Sequence, residues 1–303
     1  MHEHDLLAGH PAGEELSRGL TLGEVQAYCV QSWADIGVAA PETWRRRRSP
    51  AIPSGDQASA EKVLQSFNTW AFKREQPSDP QLMLALISRL IRRVEPLSFT
   101  LYWGKGHRCT LAQTDIQCLD FLSRLSDRVG KAHAPGVALN LIFTDTHARL
   151  NGYAQGSIRG YFSQVDIVAR QRGFGTCRLS DLVRASEPAT EEKQRDEMVP
   201  PPVLSMLIAS ARKWYRGSGS AEEGAVIYYR MNMVERRAVE LAFPWSIFIT
   251  FNGSELRSLF PQHLPIFYMY SLRRGTCVKP WFLPAQTVPC TVSSCACQHS
   301  QND

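Results

Sequence analysis

Four clusters in this chain carry side chains able to bind anions, move protons or attack a carbonyl. The first is Gly104-Lys105-Gly106-His107-Arg108. Lys105, His107 and Arg108 suit a phosphate or a carboxylate, and the glycines flanking Lys105 let the backbone approach a ligand. Lys105 has a second use: once its pKa is lowered, its amine can form a Schiff base with a ketone or aldehyde. The plain alternative is a basic surface turn. The second cluster runs Thr144-Asp145-Thr146-His147-Ala148-Arg149-Leu150-Asn151-Gly152. An Asp at a strand end, with His147 and Arg149 in the next turn, can orient a substrate amine or do acid–base work. Alternatively, Asp145 caps the turn that follows it. As a metal site, Asp145 and His147 lack a third ligand nearby, so no metal is expected.

The third cluster is Phe251-Asn252-Gly253, where Asn252 either binds a substrate amide or carboxylate or makes an Asx-turn. The fourth is Ser271-Leu272-Arg273-Arg274-Gly275, followed by Lys279-Pro280-Trp281-Phe282. Arg273, Arg274 and Lys279 beside a tryptophan fit an anion clamp against an aromatic wall, or else a surface loop with a buried Trp. Cys290, Cys295, Cys297 and His299 have only loose metal-ligand spacing and read better as a terminus with reactive thiols. The dinucleotide GxGxxG, the Walker loop, HExxH and GxSxG are all absent, so function rests on these looser constellations.

These clusters need elements to position them. Residues 61–94 read as helix, with Met83, Leu86, Ile87, Leu90, Ile91 and Val94 at helical spacing and Pro96 as the stop. Leu97–Trp103 alternates apolar and polar residues as a strand does. A helix over 114–131 follows, with Thr114 as its N-cap. After Pro135-Gly136 comes Val137–Phe143, a buried-type strand expected at the centre of a sheet. A helix over 156–172, helices over 202–216 and 222–241, and strands over 245–251 and 264–270 complete the pattern. Residues 186–200 are charged and Pro-bounded, as in a surface excursion.

Strand and helix alternate, which predicts an α/β, Rossmann-like fold: a mainly parallel sheet with helices on both faces. Clusters that follow strands then share the carboxyl rim, where open α/β sheets bind ligands. The expected organisation has three parts. Residues 1–60 form a peripheral N-terminal extension with an Arg-rich linker at Arg45–Arg48, 61–285 a single α/β catalytic domain, and 286–303 a flexible Cys-containing tail.

Composition narrows the function classes. Of 303 residues, 44% are hydrophobic and 21% charged, which excludes a mainly disordered chain. The net charge is +5, and four arginines sit in one run. The remainder is nearly neutral, too little for a dedicated nucleic-acid binder but enough for a small anionic substrate. No apolar run reaches the ~18 residues of a membrane span, and the N-terminus lacks a signal-peptide layout. A soluble cytoplasmic protein without a disulfide framework is expected.

The order of features resembles the pyoverdine/dityrosine biosynthesis family, also called the isocyanide (isonitrile) synthases, over roughly residues 80–283. Tyr102-Trp103-Gly104-Lys105 is similar to that family's strand ending in a flanked Lys. The helix from Asp115 with regularly spaced leucines, the Pro135-Gly136 turn, and the strand ending at Thr144-Asp145 also resemble its pattern. So do Ile158-Arg159-Gly160-Tyr161, Leu179-Ser180-Asp181-Leu182, Met231-Asn232-Met233, Phe243-Pro244, Ile247–Asn252 and Pro280-Trp281-Phe282. This chain departs from the pattern at three positions. Asn252 and Phe282 stand where the family has histidines, and Thr146 stands where it has a glycine.

The resemblance implies an enzyme that joins an amino acid nitrogen to the C2 carbonyl carbon of ribulose 5-phosphate. The sugar then fragments to leave an N≡C group. No cofactor is implied; the partners are the two small molecules and, in a pathway, downstream biosynthetic enzymes. In that reading Lys105 serves the carbonyl, Asp145 the amine, and Arg108 with Arg273, Arg274 or Lys279 the phosphate. Two other readings stand beside it: a divergent amino-acid-modifying enzyme making another C–N product, and a non-catalytic binding protein on the same scaffold. Lys105 and Asp145 separate them. If both face one pocket with Arg273 or Arg274, an enzyme is favoured; divergence across the surface favours binding.

Overall fold

The computed structural model describes residues 54–186, 199–254 and 263–283. The Arg45–Arg48 linker, most of the 186–200 excursion and the Cys-containing tail lie outside these residues.

Five strands form one all-parallel sheet: β1 (Leu97–Trp103), β2 (Val137–Phe143), β3 (Gly175–Arg178), β4 (Ser246–Thr250) and β5 (Ile266–Tyr268), in the order β3-β2-β1-β4-β5. This is a Rossmann-like α/β fold. The central strand is β1 rather than the more apolar β2, which lies one place off centre. Both are interior strands buried on two faces, so apolar content does not distinguish their ranks.

Eight helices are described. They are α1 (Ser54–Phe67), α2 (Pro80–Arg93), α3 (Gln113–Gly130), α4 (Asp145–Leu150), α5 (Gln155–Arg170), α6 (Leu179–Ser186), α7 (Pro201–Trp214) and α8 (Ala221–Ala242). The single helix expected over 61–94 is two helices separated by residues 68–79. α1 crosses the expected boundary at residue 60, and Ala60 is buried in the main core. The N-cap of α3 is Ala112 rather than Thr114: the Asp115 carboxylate accepts from the Ala112 N–H at 2.8 Å, and Thr114 is buried inside the first turn.

The period of two in β1 sorts its side chains between two cores. Phe99, Leu101 and Trp103 join Leu139, Leu141, Phe143, Ile249 and Phe267 against α1, α2, α3 and α5. On the other face Tyr102, Ile142, Phe248 and Tyr268 meet Leu179 of α6 and Val239 of α8. α7 and α8 pack against each other through a further cluster including Leu207, Ala211, Tyr215 and Tyr228. At the start of α8, Ser220 Oγ accepts from the Glu223 N–H while Glu223 accepts from the Ser220 N–H, fixing the helix entry. No described helix is long and apolar enough to cross a membrane.

Candidate active site

β1 runs to β2 and β3 on one side and has β4 on the other, so the strand order reverses between β1 and β4. In an open parallel sheet the loops leaving such a pair diverge and open a crevice at the carboxyl edge. A cleft of ≈ 230 Å³ lies there. Its walls include Gly104 and Lys105 after β1, Thr144 and His147 after β2, and Thr250 and Asn252 at the end of β4. Trp214 of α7, Tyr228 and Asn232 of α8, and Lys279, Trp281 and Phe282 close it. The register pairs Trp103 with Phe143, and the Thr144 N–H donates to Trp103 O at 3.0 Å, so the β1 and β2 loops leave side by side.

Behind the cleft wall, His147 is backed by a buried carboxylate that the rim motifs do not announce. His147 Nε2 lies 2.6 Å from Glu235 Oε2, and the Thr146 hydroxyl donates to the other carboxylate oxygen. Glu235 is only 1% exposed. The His147 ring makes no other hydrogen bond among the described residues. With Glu235 accepting from Nε2–H, Nδ1 keeps its lone pair: a base whose protonated form a carboxylate supports. Glu235 had a legible signal, a carboxylate inside the apolar stripe of Met231, Val234, Ala238 and Val239 on α8. Tyr102 also lines the cleft; burial and the nearby Glu235 raise its pKa well above the ordinary tyrosine value and keep it protonated.

Lys105 lines the cleft, but it is buried, 4% exposed, rather than set in a solvent-facing turn. Its Nζ donates to Gly106 O and Arg108 O, both at 3.0 Å, and sits 4.4 Å from the Tyr153 ring centroid. Burial lowers its pKa, partly opposed by Cys109. The glycines around it serve packing, not ligand approach. A Cβ on Gly104 would lie 2.6 Å from Trp281 Cε2, and one on Gly106 would lie 2.1 Å from Trp281 O.

Asp145 does not face the cleft. Its carboxylate accepts from Ser180 N–H at 3.0 Å and Ser180 Oγ at 2.6 Å, with Arg149 at 3.5 Å. It caps the start of α6, and Arg149 is turned toward it instead of toward a ligand. Arg108 is likewise engaged: its guanidinium donates to both Asp115 oxygens at 3.1 Å, to Thr114 Oγ1 and to Pro280 O at 2.8 Å. Arg273 and Arg274 are exposed on the 271–276 turn and do not line the cleft. His107 is exposed, with its ring against Tyr153 and Trp214. The expected residues therefore divide. Lys105, His147, Asn252 and Lys279 share one cleft; Asp145, His107, Arg108, Arg149, Arg273 and Arg274 do not line it. Among the described residues no three His, Cys, Asp or Glu side chains converge as metal ligands.

No family model matches the chain, and no curated protein matches it by sequence. Among solved structures, the PvcA protein of Pseudomonas aeruginosa superposes with a TM-score of 0.54 at 20% identity, covering 74% of this chain and 87% of that one. The chain has the fold of PvcA. A tyrosyl-tRNA synthetase from Archaeoglobus fulgidus, solved with L-tyrosine, superposes with a TM-score of 0.37 at 12% identity, over 69% of this chain and 63% of that one, too loosely to carry an argument. Asn252 and Phe282, the two residues that depart from the histidines of the resembled pattern, both line the cleft.

Proposed function

We propose that this chain is a biosynthetic enzyme of the PvcA kind. It takes an amino acid into the cleft and converts its amine to an isonitrile, with ribulose 5-phosphate as carbon donor. The observation that carries the reading is the His147–Glu235 pair, 2.6 Å apart, with His147 on the wall of a cleft that also holds two lysines. An amino acid enters as an ammonium and must lose a proton before its nitrogen can attack a carbonyl carbon. His147 Nδ1 accepts that proton, and the Glu235 carboxylate stabilises the imidazolium. Lys105, fixed by two backbone carbonyls, sets positive charge where the carbonyl oxygen gains electron density. Trp214, Trp281 and Phe282 exclude water from the apolar remainder of the substrate.

Asn252 and Phe282 favour a second reading, because both departures from the family pattern fall inside the cleft: a divergent enzyme making another C–N product. One experiment addresses both. The purified protein is incubated with the twenty amino acids and ribulose 5-phosphate, and products are analysed by mass spectrometry and by the N≡C infrared stretch. An isonitrile supports the first reading and another condensed product the second. Binding of an amino acid without turnover would leave a non-catalytic binding protein on this scaffold.

A further inference from the structure

The two cleft lysines differ in what surrounds their amines. Lys105 Nζ has two carbonyl acceptors and an aromatic face close by. Burial lowers its pKa, but these neighbours engage its protons and hold the amine away from a ligand. Lys279 Nζ has no hydrogen-bond acceptor, ion pair or ring face among the described residues, although it lines the same cleft. Its backbone is nonetheless fixed. Lys279 O accepts from the Phe282 N–H at 3.0 Å, and the next carbonyl, Pro280 O, accepts from Arg108 at 2.8 Å and Thr114 at 3.3 Å. A rigid main chain thus delivers an amine with no internal partner. Burial also pushes the Lys279 ammonium down to about 8, so neutral amine is present near neutral pH.

Resting on the reading above, we propose that Lys279, not Lys105, is the nucleophilic amine of the cleft and forms an imine with the carbonyl carbon of a sugar phosphate. The Nζ lone pair attacks the carbonyl carbon, and the carbonyl π pair takes a proton to give a carbinolamine. Its hydroxyl departs as water as C=N forms, and Nζ has released two protons in all. The amino acid nitrogen then adds to the imine carbon, and Lys279 leaves with its bonding pair as a free amine. No electrons are gained or lost, so the exchange needs no redox partner. A ketone becomes more electrophilic as a protonated imine, which is what an enzyme lysine adds to a condensation of two small molecules.

The test traps the imine. The full chain is treated with ribulose 5-phosphate and sodium cyanoborohydride at pH 7.5, then examined by intact-mass and peptide mass spectrometry. The expected result is one adduct, heavier than the protein by the sugar phosphate less one oxygen atom, on the peptide containing Lys279. Lys279→Arg keeps the positive charge but not the nucleophile, and Lys279→Met keeps the length; both should trap at least ~10-fold less, with circular dichroism confirming the fold. An adduct on Lys105, an adduct spread over surface lysines, no adduct, or undiminished trapping by Lys279→Arg each overturns the proposal. Trapping needs no amino acid, so it can succeed where isonitrile formation fails, which would defeat the functional reading alone. Isonitrile formation at the wild-type rate by Lys279→Arg would defeat the role of Lys279 alone.

Discussion

Asp115 on α3 and Glu235 on α8 are both buried carboxylates, and each pairs with a basic side chain from the segment that follows a strand, Arg108 in the loop after β1 and His147 in α4 after β2. Around Asp115 both carboxylate oxygens are engaged inside the protein, and the one valence left over, the buried Arg108 Nε, has no access to the cleft. Its oxygens accept from Arg108, the Tyr161 hydroxyl and the Ala112 N–H, and Arg108 reaches on to Pro280 O. Around Glu235 the network stops one atom short, because His147 Nδ1 has no partner among the described residues and its ring borders the cleft. Residue types are similar in the two clusters; an open valence on the cleft is what differs. That open valence, rather than the density of charge, separates machinery from scaffold here, and it returns in the contrast between Lys279 and Lys105.

The largest expected effect tests the closed cluster. Arg108→Met leaves Asp115 buried without its cation, the costly way to break a buried pair. Stability should fall by about 3 kcal/mol. Burial already raises the Asp115 pKa, against the Ala112 N–H, Arg108 and Tyr161, so the carboxyl is poised to take up a proton once Arg108 is gone. Asp115→Asn in the same chain should therefore recover part of the loss. Urea unfolding of the single and double variants measures this, and a loss below ~1 kcal/mol for Arg108→Met would mean that the cluster is not a structural anchor.

The open cluster should answer in the other observable. Glu235→Gln keeps the shape and can still bond Thr146, but it removes the charge that supports a His147 imidazolium. kcat/KM should drop by about 100-fold, equivalent to ~2.7 kcal/mol of transition-state stabilisation. The melting temperature should change far less than for Arg108→Met. Undiminished turnover by Glu235→Gln would reduce the pair to a packing contact.

Much of the scaffold is legible in the chain because local pattern and tertiary role agree there. Leu97–Trp103 and Val137–Phe143 are strands over the residues their patterns mark, bounded by Pro96 and by Pro135-Gly136. The break between α1 and α2 was legible as well, in Pro77-Ser78-Asp79-Pro80, but apolar spacing on both sides masks it. Side-chain direction at the rim is another matter. Asp145 turns toward Ser180, a partner 35 residues later that arrives only when β3 and α6 dock. Gly104 and Gly106 look like a ligand cradle until Trp281 is laid against them. Both cases depend on long-range packing, which spacing in one loop does not encode. By the criterion set on Lys105 and Asp145, the enzyme reading loses its expected support; the His147–Glu235 pair is the support that replaces it.

Asp145 sharpens the comparison at a smaller scale, because it is a third buried carboxylate and its network is closed. Asp145→Asn weakens a charge-assisted bond from Ser180 Oγ and removes the attraction to Arg149. Stability should fall by about 1.5 kcal/mol, with kcat/KM within about threefold of wild type. Thermal unfolding and steady-state kinetics on one preparation decide the matter. A loss of activity of ~10-fold or more at unchanged melting temperature would return Asp145 to the reaction.

The smallest effect concerns the cost of leaving Lys279 without a partner. Its folded-state pKa is pushed down to about 8 by burial, from an ordinary value of 10.5. Between those values the unfolded chain binds a proton that the folded chain has released, so this group makes stability rise with pH across the window. Below pH 8 both states carry the proton and the full desolvation cost is present; above 10.5 neither does and the cost vanishes. Lys279→Met removes the titrating group and keeps the chain length. The variant should be more stable than wild type at pH 7, by about 1 kcal/mol once the partial exposure of the side chain is discounted. The advantage should shrink steadily from pH 8 to 10.5, while the remaining lysines titrate alike in both proteins and cancel in the difference. Chemical denaturation at several pH values gives that difference directly. A variant less stable than wild type at pH 7, or a difference flat across the window, would show that Lys279 has an internal partner, and the contrast between an open and a closed lysine would fall with it.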